Sequence, residues 1–319
     1  MKILIADKYP ENGLKSLREL GCEVLYDPEA KGPKLVALIK SSAAEVLVVR
    51  SSQVTAEALE AGSLKLVVRA GAGYNTIDVK KATELGIHVS NCPGKNSIAV
   101  AELAFGLMLA LDRRIPQNLA ELKAGKWNKK EFGKARGLFG RTLGLVGLGH
   151  IGREMATRAR AFGMNVLAYD PMLSRGEIAT VGAFSCETLE ELAAKSDVVS
   201  VHVALMPGTR NLIGRKILEA MRPGTVLINT SRAEVVDYEA LLQVMQEKPL
   251  RVGLDVYNEE PAQAAGEFKT PFASADGFCG THHIGASTDQ AQDAISEETA
   301  RIIKTWRDTG QVPNLVNRS

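Results

Sequence analysis

The stretch "TLGLVGLGHIGREMATRARAFGMNVLAYD", residues 142–170, joins an aliphatic strand, a glycine-rich turn, a helix and a second strand. Helical spacing gives the helix one apolar side, formed by Ile151, Met155, Ala159 and Phe162. The turn has the pattern GxGxxG, which is a weak signal alone because glycine-rich turns are common. Its position between a strand and a helix makes the stretch typical of a dinucleotide-binding βαβ unit.

Gly147, Gly149 and Gly152 are the glycines of this turn. The first permits the tight turn, the second lets the backbone approach a pyrophosphate, and the third allows the helix to pack closely on the strand. Asp170 ends the next strand, where a carboxylate accepts hydrogen bonds from a ribose diol and repels a 2′-phosphate, which favours NAD over NADP. Arg175 lies close enough in sequence to weaken that preference. A purely structural turn is the less favoured alternative.

The composition is that of an ordinary globular protein: 319 residues, 45% of them hydrophobic and 24% charged. The 39 basic and 37 acidic residues are spread along the chain, which predicts neither a nucleic-acid nor a membrane partner. Four scattered cysteines without CxxC spacing predict reduced thiols in a cytoplasmic protein, with no disulfide framework and no metal site. The most apolar segment, residues 97–111, is too short to cross a bilayer and indicates a buried helix.

Strand and helix signals alternate along the chain in two series. The first contains "KILIA", "EVLVV", "LKLVVR" and "IHVS"; the second begins at Thr142 and contains "TLGLVG", "NVLAYD", "DVVSVHV", "TVLINTS" and "RVGLDV". Such alternation predicts an α/β protein with two parallel sheets, divided near residue 97. A last helix, roughly 288 to 309, ends at Gly310. Because the second sheet has flanking helices of its own, we expect this helix to return to the first domain.

Polar residues follow three strands of the second series, at the edge where open parallel sheets bind ligands. They are Arg232 in "VLINTSRAEVVD", Asp255, Glu259 and Glu260 in "VGLDVYNEEP", and His282 and His283 in "THHIGAST". An arginine that binds a carboxylate, a histidine that transfers a proton and an acid that orients the imidazole suit hydride transfer between a 2-hydroxy acid and its 2-keto acid. Each residue alone is more often a surface residue. In an extended segment, moreover, only one of two adjacent histidines would face the reaction.

Segments along essentially the whole chain resemble the D-isomer-specific 2-hydroxyacid dehydrogenases. They are "VVRSSQVT", "VVRAGAGYNTID", "NCPGKNSIAVAELAFGLML", "LGLVGLGHIG", "INTSRAEVVD", "LDVYNEEP", "HHIGAST" and "VPNLVN". The resemblance is greatest to the members that oxidise D-3-phosphoglycerate to 3-phosphohydroxypyruvate, the first step of serine biosynthesis. It implies an NAD-dependent enzyme in which a flavodoxin-like substrate-binding domain, residues 1–97 and 288–319, contains an inserted Rossmann-type NAD-binding domain, residues 98–287.

The resemblance also implies roles for individual residues. The catalytic residues would be Arg232, Glu260 and His283, and Asp255 would contact the nicotinamide amide. Apart from the glycine turn, the remaining NAD contacts would be made, partly through the backbone, by His150, Ile151, Asp170, Val203 and Thr230.

For the substrate, the resemblance implies that Gly71-Ala72-Gly73 binds the carboxylate through its backbone and that Arg50 and Arg69 lie near the phosphate. A buried phosphate dianion needs such cations, and Lys129 or Lys130 of a neighbouring subunit would add charge. Related glyoxylate, hydroxypyruvate and lactate enzymes retain arginines in this domain, so a reductase for one of those acids is the alternative. Formate dehydrogenases are disfavoured, because they lack the pairing of an acid with a histidine.

Two residues depart from the family pattern. Ala233 replaces the glycine that usually follows the catalytic arginine, and His282 replaces the proline that usually precedes the catalytic histidine. A dinucleotide-sensing corepressor on the same fold remains a hypothesis of another class. Family members are commonly homodimers or homotetramers, so we expect the same here. Because the chain stops just past the last helix, we also expect no feedback inhibition through a C-terminal regulatory domain.

Overall fold

The computed structural model describes residues 1–261 and 265–317, which form two compact units. One unit consists of Met1–Asn96 and Ala286–Ser319, and the other of Ser97–Gly285. The second unit is therefore an insertion into the first.

The first unit contains a five-stranded sheet whose strands are all parallel. Its strands are Lys2–Ile5 (β1), Glu23–Tyr26 (β2), Val46–Val49 (β3), Leu66–Arg69 (β4) and His88–Asn91 (β5), and its first helices are Glu11–Glu19 (α1), Pro33–Ser42 (α2), Ala56–Glu60 (α3) and Val79–Glu84 (α4). The strand order β2-β1-β3-β4-β5 is that of flavodoxin-like folds. Successive residues of β1 point into two different cores: Leu4 into one, Ile3 and Ile5 into the other.

The second unit contains a seven-stranded sheet, also parallel throughout, in the order β12-β11-β10-β9-β6-β7-β8. Its strands are Thr142–Val146 (β6), Asn165–Tyr169 (β7), Phe184–Ser185 (β8), Val198–Val201 (β9), Val226–Asn229 (β10), Arg251–Leu254 (β11) and Phe278–Gly280 (β12). Its helices are Ser97–Arg113 (α5), Ile115–Lys123 (α6), Lys129–Phe132 (α7), His150–Ala161 (α8), Arg175–Thr180 (α9), Leu189–Lys195 (α10), Arg215–Ala220 (α11) and Tyr238–Glu247 (α12). The order reverses between β6 and β9, which is the topological switch point of a Rossmann-type sheet.

The last helix, Asp289–Thr309 (α13), packs on the first unit, where Ile295, Ile302 and Ile303 join the same core as Ile3 and Ile5. It ends at Gly310, whose φ of 74° is left-handed. The predicted fold of two parallel α/β domains is thereby confirmed. Within residues 1–261 and 265–317, no helix is long and apolar enough to cross a membrane.

Candidate active site

The glycine turn has the shape that a dinucleotide needs. Helix α8 begins at His150 with Gly149 as its N-cap, and no side chain caps its first N–H groups. Gly147 has a φ of 90°, and a Cβ on it would lie 2.7 Å from Cγ1 of Val203. A Cβ on Gly152 would overlap the carbonyl oxygen of Gly147, whereas one on Gly149 would meet no atom within 4 Å. The turn is thus closed towards the sheet and open at Gly149, where a phosphate can approach the free N–H groups.

Asp170, directly after β7, bridges the glycine turn and its own loop. One carboxylate oxygen accepts the N–H of Leu148 at 2.9 Å, and the other accepts the N–H of Met172 at 3.0 Å. A carboxylate offers about four lone-pair sites, so acceptors remain for a ribose diol. Arg175 forms an ion pair with Glu187, which compensates its charge.

Two polar groups at this edge of the sheet are buried without partners among the described residues. One is the hydroxyl of Thr230, which follows β10, and the other is Nδ1 of His202, which follows β9. The Nε2 of His202 lies 2.8 Å from the hydroxyl of Ser200, and burial lowers the pKa of His202 to about 3, so the ring is neutral. Unpartnered buried polar groups are uncommon in native proteins. The Thr230 hydroxyl, the open turn and Asp170 together fit a bound dinucleotide.

Glu260 and His283 form a close pair. The Nδ1 of His283 lies 2.6 Å from Oε2 of Glu260, and Oε1 of Glu260 accepts the N–H of Tyr257 at 2.9 Å. Burial acts to raise the pKa of Glu260, but the hydrogen bond and charge of His283, the N–H of Tyr257 and nearby Arg232 outweigh it and lower the pKa below its ordinary value. Glu260 is therefore ionised at neutral pH and holds Nδ1, which leaves Nε2 for proton transfer.

Arg232 follows β10, and its guanidinium donates to the carbonyl of Ser231 at 2.7 Å. Burial lowers the pKa of Arg232, while the charges of Glu234 and Glu260 oppose that effect. The next residue, Ala233, begins a short 3-10 turn, is buried and does not have a positive φ. The methyl group that distinguishes it from glycine is accommodated without backbone strain.

Asp255, at the end of β11, holds the loop that carries His283. One of its oxygens accepts the hydroxyl of Thr281 at 2.7 Å and the N–H of Ile284 at 2.9 Å, and the other accepts the N–H of Gly285 at 2.8 Å. The side chain is buried, and a Cβ on Gly285 would lie 3.0 Å from its Oδ2. These donors lie on both sides of His283, so Asp255 fixes the loop around it.

The two histidines do not lie in an extended segment. His283 has a left-handed backbone, with φ of 51°, and the expectation that strand alternation separates the pair is wrong. The loop turns at His283 because Asp255 binds residues before and after it. Both histidines are exposed, and the contact with Glu260 is what distinguishes His283 from His282.

In the first unit, the sheet brings the two predicted arginines to one edge. Arg50 follows β3 and Arg69 ends β4, and the register pairs Val49 with Arg69. The guanidinium of Arg69 occupies the place that a Cβ on Gly71 would need, and Gly71 has a φ of 145°. Only glycine satisfies both conditions at position 71.

Two further residues hold these groups in place. The side-chain amide of Asn91, at the end of β5, donates to the carbonyl of Ala72 at 2.6 Å, which anchors the turn before Gly73. The guanidinium of Arg50 donates to the hydroxyl of Ser287 at 3.2 Å.

Our sequence reasoning missed Asn91, Ser287, Thr281 and Asp7, which contacts the turn after β3. Asp7 and Asn91 share a signal with the residues predicted from the second sheet, a polar residue at or just after the end of a strand. In the described parts of the chain, no group of three His, Cys, Asp or Glu residues is arranged to hold a metal ion.

Comparison with known proteins agrees with this geometry. Residues 105–285 match the family model "D-isomer specific 2-hydroxyacid dehydrogenase, NAD binding domain". D-3-phosphoglycerate dehydrogenase of Methanocaldococcus jannaschii is 41% identical over 99% of this chain, which spans 59% of that relative. Hydroxypyruvate reductase of Thermotoga maritima is 44% identical over 81% of this chain and 83% of its own length.

A solved structure with the same fold is the NAD⁺-bound 3-phosphoglycerate dehydrogenase of Entamoeba histolytica. It is 30% identical, with a TM-score of 0.83 over 100% of this chain and 99% of that one. The family model covers more than half of the chain, and the Thermotoga relative is covered over most of its length. The chain therefore belongs to the D-isomer specific 2-hydroxyacid dehydrogenases, and its second unit carries the NAD-binding domain of that family.

Proposed function

We propose that the protein catalyses the NAD-dependent oxidation of D-3-phosphoglycerate to 3-phosphohydroxypyruvate. The observation that carries the proposal is the contact of 2.6 Å between Nδ1 of His283 and Oε2 of Glu260, with the half-buried Arg232 close to Glu260. An imidazole oriented by an ionised carboxylate beside a guanidinium suits proton transfer at a 2-hydroxy acid.

In this proposal His283 takes the hydroxyl proton of the substrate through Nε2, since Nδ1 faces Glu260. Glu260 keeps the ring in place and stabilises the imidazolium that forms. Arg232 binds the substrate carboxylate and polarises the carbonyl that develops at C2. NAD bound to the second unit would supply the acceptor for the hydride at C2. For reduction of a 2-keto acid, His283 would donate the proton instead.

We assign NAD binding to the second unit. The turn of Gly147, Gly149 and Gly152, with the first N–H groups of α8 at His150 and Ile151, would hold the pyrophosphate. Asp170 would bind the ribose diol, and Asp255 would contact the nicotinamide amide. Val203 and Thr230 would contact other parts of NAD. The unpartnered hydroxyl of Thr230 supports its part in this assignment.

We assign substrate binding to the first unit. Its turn Gly71-Ala72-Gly73, fixed by Asn91, would hold the carboxylate through backbone N–H groups. Arg50 and Arg69 would supply the positive charge that a phosphate dianion requires. The similarity to phosphoglycerate dehydrogenases over 99% of this chain supports that substrate.

Reduction of hydroxypyruvate is the second candidate, because the Thermotoga relative named for that activity is 44% identical. Both reactions use the same proton-transfer pair, so the choice depends on how strongly the first unit binds a phosphate. The decisive assay follows NADH with D-3-phosphoglycerate, D-glycerate and D-lactate in one direction, and hydroxypyruvate and glyoxylate in the other. We expect the highest kcat/KM with D-3-phosphoglycerate. Turnover of unphosphorylated acids alone would favour the second candidate, and no turnover at all would contradict both.

A homo-oligomer, dimer or tetramer, is also part of this proposal. Helix α6 has Ile115, Leu119 and Leu122 at helical spacing, each about half exposed. Burial of that stripe against a second copy would remove apolar surface from water. Sedimentation of the purified protein measures the state directly. The cytoplasmic location stays a prediction.

A further inference from the structure

One buried carboxylate supports the whole turn that carries Arg50. Asp7 follows β1 and is 4% exposed. Its Oδ2 accepts three consecutive backbone N–H groups, those of Arg50 at 2.6 Å, Ser51 at 3.0 Å and Ser52 at 3.0 Å. Its Oδ1 accepts the hydroxyls of Ser51 at 2.9 Å and Ser52 at 3.1 Å.

These hydrogen bonds stabilise both the buried carboxylate of Asp7 and the turn of residues 50–52. A buried carboxylate without partners would be strongly unfavourable, and the donors of Ser51 and Ser52 remove that cost. In return the carboxylate fixes the backbone of three residues at the end of β3, and Arg50 is the first of them. Convergent N–H groups of this kind form a nest for an anion. The direction in which the Arg50 side chain leaves the sheet is thus set by Asp7.

The guanidinium of Arg50 is held at its far end as well. Its Nη2 donates to Oγ of Ser287 at 3.2 Å, just before the N-cap residue Thr288 of α13. Burial lowers the pKa of Arg50, and the charge of Asp7 acts against that effect. A guanidinium has five N–H donors, and a serine hydroxyl that accepts one still has its own hydrogen to donate. Arg50 and Ser287 together therefore offer several donors to an anion.

We propose that Asp7 is the positioning residue for Arg50, and that the Ser287 hydroxyl joins Arg50 in binding a phosphate monoester. These two residues would then set the preference for a phosphorylated 2-hydroxy acid over an unphosphorylated one. The inference rests on the proposed function, in which Arg50 binds the substrate phosphate. It attributes part of the selectivity for a phosphorylated substrate to Asp7 and Ser287, in addition to the arginines.

The test is a selectivity ratio, the kcat/KM for D-3-phosphoglycerate divided by that for D-glycerate, measured for wild type, Arg50→Ala, Asp7→Ala and Ser287→Ala. Loss of hydrogen bonds that involve charged groups reduces affinity by about tenfold to a hundredfold. We expect Asp7→Ala to lower the ratio by about tenfold or more, as Arg50→Ala does, through KM rather than kcat. Ser287→Ala should lower it by about threefold to tenfold.

Asp7→Asn is the rescue variant. Its amide oxygen can accept the three N–H groups that converge on Oδ2, and its NH₂ group can donate to the two serine hydroxyls, which rotate. We expect it to restore most of the ratio that Asp7→Ala loses. A purely structural role would instead lower kcat/KM equally for both substrates and leave the ratio unchanged.

The outcomes separate the two proposals. A wild-type ratio near one would overturn both the proposed function and this inference. A high wild-type ratio that falls in Arg50→Ala but persists in Asp7→Ala and Ser287→Ala would overturn the inference alone. Circular dichroism checks that each variant is folded. If Asp7→Ala does not fold, Ser287→Ala decides for the second donor, and the double variant Ser51→Ala with Ser52→Ala, which removes both hydroxyl partners of Asp7 Oδ1, takes the place of Asp7→Ala. A lower ratio in that double variant would support the role of Asp7, and an unchanged ratio would overturn it.

Discussion

Asp7 and Asp255 occupy similar places in the two sheets: each is buried, lies within two residues of the end of a strand and is hydrogen-bonded to a loop that carries a residue with a proposed function. They hold those loops differently. Asp7 collects the three N–H groups of residues 50–52 on one oxygen, whereas Asp255 binds one N–H on each oxygen, from Ile284 and Gly285. Asp7 therefore holds three consecutive residues of one turn through a single oxygen. Asp255 holds residues on both sides of His283, which it thereby encloses.

The backbone of His283 shows the consequence of the hydrogen bonds that Asp255 makes on both sides of it. His283 has a φ of 51°, a left-handed conformation that costs a residue with a Cβ about 1–2 kcal/mol. Hydrogen bonds to a charged group contribute about 1.5–3 kcal/mol each, enough to offset that cost. Arg50 and Ser51 have no positive φ and need no such compensation. Of these two loops, only the one held by Asp255 contains a left-handed residue with a Cβ, and it is the residue proposed to transfer the proton.

We expect the largest loss of activity from removing the imidazole of His283, the residue in the loop that Asp255 holds. His283→Ala should lower kcat by about a hundredfold to ten-thousandfold, because general acid–base catalysis typically contributes that much. His282→Ala is the matched control, since His282 is an exposed neighbour in the same loop, and it should stay within about threefold of wild type. Steady-state kinetics at saturating NAD measures both. Similar losses in the two variants would contradict the assignment of His283.

Asp170 extends the comparison to a third carboxylate. Like Asp255 it binds one N–H on each oxygen, from Leu148 and Met172. Asp170→Ala removes the charge that would repel a 2′-phosphate, so the ratio of kcat/KM with NAD to that with NADP should fall by about tenfold or more. Binding of both cofactors should also weaken, because the glycine turn loses a support.

The matched control for this third carboxylate is Asp170→Asn, which removes the charge but keeps one acceptor oxygen. It should lower the NAD to NADP ratio as Asp170→Ala does while weakening both cofactors less. An unchanged ratio in the two variants would place the discrimination elsewhere.

The pH dependence of kcat/KM tests the roles proposed for His283 and Glu260. The pKa of Glu260 lies below its ordinary value, so its support for His283 is present at neutral pH and is lost only as the pH falls through that lowered pKa. Above that pH, the proton that passes between the substrate and His283 should therefore control the rate. Oxidation needs the neutral imidazole and should rise with pH, by at most about tenfold per unit, and reduction should fall.

D-Glycerate for oxidation and hydroxypyruvate for reduction are the substrates for that measurement, because a phosphate monoester titrates near pH 6 and would add its own charge change. The quantity compared is kcat/KM in the two directions. A flat profile, or the same slope in both directions, would exclude His283 as the proton carrier.

The sequence allowed prediction of the glycine turn, both parallel sheets and the helix that ends at Gly310, because each depends on local periodicity. The edge strands β2, β8 and β12 were not predicted. Strands β8 and β12 have only two and three residues, and β2 begins and ends with exposed residues instead of forming a buried aliphatic run. Nor were the bonds of Asp7 to the turn at Arg50, because these residues are distant in sequence and meet only since β1 lies beside β3. The φ of His283 likewise results from contacts with Asp255 that no local pattern encodes.

The division of roles between Asp7 and Asp255 is tested by making the same substitution at both positions. An asparagine has one acceptor oxygen and one donor NH₂ group. At position 7 all N–H donors meet one oxygen and the other oxygen faces hydroxyls, so Asp7→Asn can keep its pattern. At position 255 both oxygens face an N–H, so the NH₂ group must oppose one of them.

With D-3-phosphoglycerate at saturating NAD, Asp255→Asn should lower kcat by about tenfold or more, since an unsatisfied buried donor costs about 1–3 kcal/mol and releases the His283 loop. Asp7→Asn should leave kcat within about threefold of wild type, because the role proposed for Arg50 is substrate binding and not proton transfer. Equal losses of kcat in the two variants, or the larger loss in Asp7→Asn, would contradict the proposal that Asp255 supports proton transfer and Asp7 supports substrate binding.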